Sequence, residues 1–255
     1  MADLEKLKKI KQKLNQSLPS IGTWIQIPNE TSAEILASSD AFEWVCIDLE
    51  HSPISIETCE TLIRSIEGAG SIPIVRLTSN NSDLIKRVMD SGALGIIVPM
   101  VCDYNSILEA SKAMHFPPKG TRGVGLARAQ GWGKNFEKYK NEIDIQTLLI
   151  AQIEHIDAID NIDDIFGSGL IDAYIVGPYD LSASLGHPGE FENEEFIEAL
   201  ETIKESAKKN SIPAGFHLIE PDKDKLIELI SEGYSFIAYS IDTVILREAG
   251  HFKVD

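Results

Sequence analysis

Residues 45–51 read VCIDLEH: an apolar run suited to a buried strand ends on Asp48, Glu50 and His51, with only Leu49 between them. A second run, LLIAQIEH at 148–155, ends on Gln152, Glu154 and His155. Arg76 closes PIVR, Asp180 closes GPYD, and Gln26 and His217 stand near the ends of two further apolar runs. Glu154 and Asp180, with no cysteine nearby and no histidine at zinc spacing, suit a hard cation such as Mg²⁺ or Mn²⁺. Two protein ligands leave octahedral positions for the carboxylate and keto oxygens of a 2-oxo acid. The cation would then act as a Lewis acid that stabilises an enolate. Arg76 would add a fixed positive charge at the same oxygen. His51 is the side chain suited to proton transfer near neutral pH. Lys86, Lys112, Lys119 and Lys134 all fall in predicted helices or loops, which disfavours imine chemistry. Backbone N–H groups at the GPYD turn can hold a carboxylate.

Each residue also has a plain structural reading. Asp48 or Glu50 can cap a turn. Arg76 can partner a structural carboxylate. His155 can open the next helix. What favours chemistry is that so many polar residues end apolar runs, so the elements that carry them decide the matter.

Eight such runs are present, at 21–27, 43–49, 71–77, 94–100, 147–154, 171–177, 211–218 and 235–241. They are continuously apolar more than alternating, as parallel strands covered on both faces are. Segments with helical periodicity follow them. Ser55 is placed to cap one and Gly68 and Gly70 to stop it; Asn81 or Ser82 and Gly92 bracket the next. Eight strand–helix units in 255 residues predict a single-domain α/β (β/α)₈ TIM barrel. A doubly wound sheet would usually show a glycine-rich turn after its first strand, where this chain has PNETS. Residues 1–18 read as an extra N-terminal amphipathic helix and 19–255 as the barrel. The loops at 117–144 and 177–195 exceed what a βα connection needs and carry no assigned role.

Forty acidic against 23 basic residues give a net charge of −17, which argues against a nucleic-acid surface or an anionic membrane as partner. Three cysteines, Cys46, Cys59 and Cys102, form neither a disulfide framework nor a zinc motif. The charged N-terminus is unlike a signal peptide, and no apolar run is long enough for a membrane span, so a cytoplasmic protein is expected.

In order, WVCIDLEHSP, PIVRL, IKRVMDSGALGIIVPMV, FPPKGTRGVG, AQIE and YIVGPYDLSASLG resemble the signature segments of the HpcH/HpaI aldolases, from about residue 20 to residue 250. Those are class II pyruvate aldolases of the phosphoenolpyruvate/pyruvate barrel superfamily. The resemblance implies reversible aldol cleavage of a 4-hydroxy-2-oxo acid to pyruvate and an aldehyde. It implies Glu154 and Asp180 as ligands of Mg²⁺ or Mn²⁺, with Co²⁺ a further candidate, and His51 as general base. Asp90 would raise the basicity of that histidine. Arg76 would stabilise the enolate. Gln152 and Asp180 would contact substrate, and the backbone N–H of Tyr179 would hold the pyruvate carboxylate. It further implies a homo-oligomer, commonly a hexamer built as a trimer of dimers, with the last helix, DTVILREAG, exchanged between subunits. Leu49 departs from the family's usual glycine, His155 from Thr or Ser, and Tyr179 from a small residue. The alternative within the superfamily is a citrate-synthase-like or other carbon–carbon lyase or synthase using the same enolate. A catalytically silent barrel is the reading from outside the enzymes.

Overall fold

The computed structural model describes residues 3–251. Helix α1 (Leu4–Asn15) precedes eight strands: β1 (Ser20–Ile25), β2 (Trp44–Asp48), β3 (Ile72–Arg76), β4 (Gly95–Val98), β5 (Leu148–Ile153), β6 (Ala173–Val176), β7 (Ala214–Leu218) and β8 (Phe236–Ile241). All neighbours pair in parallel, and β8 returns to β1, so the sheet closes into the TIM barrel expected from the sequence. Seven of the strands lie inside the runs that predict them; β1 starts one residue early, at Ser20.

Side chains alternate between two cores, as the period of two requires. Trp44, Cys46, Ile72, Ile74, Leu148, Ile150, Phe236 and Ala238 fill the barrel. Val45, Ile47, Val75, Ile96, Leu149 and Ile153 face the helices. Trp44 stacks on Phe236 with ring centroids 4.2 Å apart. A Cβ at Gly22 would run into the Trp44 indole, so only glycine lets that ring occupy the barrel's lower layer. Leu7, Ile10 and Leu14 of α1 are buried against this cluster and close the amino end of the barrel. Each apolar side chain of this size contributes roughly 1.5–3 kcal/mol when fully buried.

The covering helices are α2 (Glu30–Ala37), α3 (Ile56–Gly68), α4 (Ser82–Ser91), α5 (Tyr104–Met114), the single turn α6 (Phe136–Lys138), α7 (Ile156–Asp160), α8 (Ile162–Phe166), α9 (Pro178–Ser184), α10 (Glu194–Asn210), α11 (Lys223–Ser231) and α12 (Asp242–Gly250). Ser55 and Asn81 cap α3 and α4 through their side chains, and Gly92 ends α4 at φ +106°. The helical pattern at 156–169 breaks at Asn161 into two short helices. The loop from 117 to 144 is not bare: it holds α6 and tight 3₁₀ and π turns. α12 leans on the barrel mainly through its first residues, and Leu246 is 60% exposed. Residues 1–2 and 252–255, at the outer limits of the predicted 1–18 and 19–255 segments, lie outside the described residues. No helix among the described residues is long and apolar enough to cross a membrane.

Candidate active site

Asp48 is the last residue of β2, and its side chain has no exposed surface. Its carboxylate is saturated. Oδ1 accepts from Arg76 Nε at 2.9 Å, from the Glu50 N–H at 3.0 Å and from the His51 N–H at 3.2 Å; Oδ2 accepts from Arg76 Nη2 at 2.8 Å and Gln26 Nε2 at 3.0 Å. Burial pushes this acid up, but the hydrogen bonds and charge of Arg76, with Gln26 and the His51 amide, outweigh it and hold Asp48 below the usual carboxylate range. The same contacts fold the turn that carries Glu50 and His51 to the mouth. Arg76 Nη1 also lies 3.1 Å from Glu50 Oε2. The guanidinium sits over the Trp24 ring at 4.5 Å, and His217 stacks on that indole at 4.5 Å. Asp242 secures the end of β1 by accepting from the Gln26 and Ile27 amides at 3.0 and 2.9 Å.

On the other side of the mouth, Glu154 follows β5 and is buried. Its Oε1 accepts from the Met100 N–H at 2.7 Å, and Oε2 accepts from Gln152 Nε2. Burial raises this carboxyl, and the nearby charge of Asp180 raises it further. A Cβ on Gly177 would clash with the Glu154 carboxylate, so glycine at the end of β6 makes room for it. Asp180 lies in the first turn of α9 and is exposed. Glu154 and Asp180 are therefore two carboxylates from adjacent strand ends, one buried and one open. Among the described residues no three His, Cys, Asp or Glu side chains gather into a site that could hold a metal alone. A cation there would draw its remaining ligands from substrate and water.

His51, Arg76, Gln152, Tyr179 and Asp180 line one cavity of about 710 Å³. Tyr179 is 69% exposed and its ring meets Phe191 edge-on at 5.1 Å. The ring of His51, 62% exposed, has Glu50 Oε2 at 4.0 Å. Asp90 does not join them. It is near the carboxyl end of α4, which runs back toward the start of β4, so the barrel topology sets it at the amino end. There its carboxylate lies 3.8 Å from Arg122 Nε, and burial raises it. The expectation that Asp90 tunes His51 is thus not met within one chain, because the helix direction carries it to the opposite end; the acid beside His51 is Glu50. His155 caps α7, its Nδ1 accepting from the Asp157 N–H at 3.2 Å. The sequence reading missed Trp24. An indole inside a strand resembles any core residue, and only the closed barrel puts it under Arg76.

The family model described as HpcH/HpaI aldolase/citrate lyase matches residues 20–249. A 2-keto-3-deoxy-L-rhamnonate aldolase of Shigella boydii serotype 4 (strain Sb227) is 33% identical over 241 residues, 94% of this chain and 89% of that protein. An HpcH/HpaI aldolase/citrate lyase family protein of Burkholderia cenocepacia J2315 superposes with a TM-score of 0.87 at 29% identity, covering 94% of this chain and 95% of the other. The citrate synthase SbnG superposes with a TM-score of 0.78 at 28% identity, covering 94% and 93%. The closed parallel barrel, the polar groups at its carboxyl mouth and a family match over nearly the whole chain together show that this chain belongs to the HpcH/HpaI aldolase/citrate lyase family.

Proposed function

We propose that the chain catalyses reversible aldol cleavage of a 4-hydroxy-2-oxo acid to pyruvate and an aldehyde, using a divalent cation held by Glu154 and Asp180. Membership of an aldolase/lyase family makes it a carbon–carbon lyase. The observation that carries the finer reading is the facing of two charge sets across one mouth: the Glu154–Asp180 carboxylate pair on one side and Arg76, clamped by Asp48, on the other. The carboxylate pair fits a hard cation because its oxygens are anionic and no thiolate or imidazole competes in the donor set. When bound, Mg²⁺ or Mn²⁺, or Co²⁺ in their place, supplies Lewis acidity that lowers the energy of negative charge on the keto oxygen.

The chain's own residues do the rest. Arg76 would bring its positive charge to that oxygen and cannot swing away, since two of its nitrogens are held by Asp48 and the third lies beside Glu50. Gln152 holds the Glu154 carboxylate and lines the substrate cavity. The Tyr179 backbone N–H, in the first turn of α9, would hold the pyruvate carboxylate. His51 takes the proton from the 4-hydroxyl in cleavage and returns it in synthesis. A role for Asp90 at His51 requires a second copy of the chain. A homo-oligomer agrees with the exposed α12 and with Ile35 and Ile227, each 65% exposed on α2 and α11; a hexamer with α12 exchanged would cover such surface. Three free cysteines, two of them buried, agree with a reducing, cytoplasmic setting. The citrate-synthase-like alternative shares the enolate and differs in the acceptor. The test is exchange of the pyruvate methyl protons with D₂O in the presence of Mn²⁺, followed by mass detection of adducts with a panel of aldehydes and with 2-oxo acids as acceptors. Exchange with aldehyde adducts supports the aldolase; adducts with oxo-acid acceptors alone would replace it by the synthase.

A further inference from the structure

The cavity over the catalytic groups continues sideways out of the barrel. The ladder between β6 and β7 holds Tyr174 to Ala214 and Ile175 to Gly215 and then stops, whereas on the other edge of β7 it continues to Leu218 and Tyr239. The gap past Gly215 leads into the layer between the sheet and α10. Tyr174 and Phe216, which face outward from β6 and β7, form one wall; Phe196, Leu200 and Ile203 of α10 form the other, and Phe191 lines it beside Phe196. This space and the polar end at Gln26, Arg76 and Gln152 are one volume of about 710 Å³. The packing is consistent with an opening there. The main helix-facing core includes Tyr174, Phe196 and Ile203, while Phe216 and Tyr234 pack in a separate cluster with Leu218, Leu229 and Ile237. Protein interiors seldom leave such space unfilled, because an empty apolar cavity is destabilising.

We infer that the substrates of this chain carry an apolar tail, aliphatic or phenyl, on the aldehyde portion, and that the tail lies between β6–β7 and α10. The inference rests on the aldolase reading and extends it to substrate class. The head of the 4-hydroxy-2-oxo acid occupies the polar end; carbons beyond C4 point through the gap. In synthesis, C3 of pyruvate loses a proton and forms one carbon–carbon bond to the aldehyde carbon, and the aldehyde oxygen takes up a proton, so no oxidant or reductant is needed. Against Leu200, Ile203 and Phe216 the hydroxyls of a polyhydroxylated tail find no partner, and the polar groups of that wall are limited to Lys204 and the Tyr174 and Tyr234 phenols. An apolar one gains roughly threefold to fourfold in affinity per buried methylene.

The experiment uses the full-length protein with Mn²⁺ and has two arms. Equilibrium binding of straight-chain 2-oxo acids from pyruvate to 2-oxooctanoate should tighten stepwise in the wild type, by about tenfold or more over the series. Leu200→Trp, which fills the α10 side, should flatten that series, and Leu200→Ala should preserve it. In parallel, kcat/KM for pyruvate with hexanal should exceed that with glycolaldehyde, and the ratio should fall at least tenfold in Leu200→Trp. A flat series in the wild type, or a rise untouched in correctly folded Leu200→Trp, overturns the inference. Should Leu200→Trp not fold, the wild-type series decides alone. If pyruvate protons do not exchange yet the series still rises and Leu200→Trp flattens it, the aldolase reading falls and the apolar tail site stands.

Discussion

Arg76 and Asp48 form a two-bond clamp at the barrel mouth, Nε to Oδ1 at 2.9 Å and Nη2 to Oδ2 at 2.8 Å, on a carboxylate with no solvent exposure. The clamp aligns a cation that would otherwise have many rotamers, and the same carboxylate folds the turn bearing His51. Preorganisation of this kind lets a donor act on developing charge without rearranging.

Removing the charge of Asp48 should therefore have two effects. Asp48→Asn should destabilise the fold by about 3 kcal/mol, the usual scale for breaking a buried ion pair. It should also slow pyruvate proton exchange, with Mn²⁺ affinity little changed. Urea unfolding, exchange by NMR and Mn²⁺ titration read the three quantities. Unaltered stability would contradict the clamp.

Arg76→Ala should reduce pyruvate proton exchange by about 10²-fold or more, since one preorganised donor is typically worth ~3 kcal/mol to an oxyanion. Arg76→Lys should recover only part, because an ammonium cannot make both bonds to Asp48. Full recovery would show that charge alone suffices.

Glu154→Gln and Asp180→Asn should each weaken Mn²⁺ binding, measured by calorimetry, and abolish turnover while leaving the melting transition nearly in place. Asp180 is exposed and outside the packed core, so its variant is the cleaner of the two. Full activity of Asp180→Asn in chelator-treated buffer would refute the assignment.

His51→Ala should lose most aldol cleavage of a 4-hydroxy-2-oxo acid but keep part of the pyruvate proton exchange, because Arg76 and the carboxylate pair remain. Equal loss of both would move His51 from the hydroxyl proton to the methyl proton.

His217 links stability to pH. Burial lowers it from the ordinary 6.5 to about 4, against the opposing hydrogen bond with the Ser240 carbonyl. Between those values the unfolded chain binds a proton that the folded chain does not. This contribution is therefore complete above about pH 6.5 and lost as pH falls toward 4, with a magnitude of order 3 kcal/mol. Urea unfolding at pH 7 and pH 4.5 should show a loss about 2 kcal/mol smaller in His217→Asn than in wild type.

Much of the architecture was legible in the linear sequence because its causes are local. Continuous apolar runs encode strands buried on both faces, and Ser55, Asn81 and Gly92 satisfy helix ends within a few residues of themselves. That polar residues end those runs was likewise enough to gather His51, Arg76, Gln152 and Asp180 at one mouth. What each polar group touches was not legible. Asp48 reads as a candidate acid, yet Arg76, 28 residues on, and Gln26, 22 residues back, bind it into a clamp. Trp24 reads as core until closure of β8 onto β1 brings His217 against it. Asp90 falls within a segment that resembles the family's, but the direction of α4 takes it to the far end of the barrel. The gap between β6 and β7 depends on where a ladder stops, and no residue on either strand announces that. The sequence determined which residues form strands and which cap helices, because those choices are settled within a few residues. Barrel closure decided the partners, because contacts between residues twenty to two hundred apart depend on register and helix direction, which no local pattern encodes.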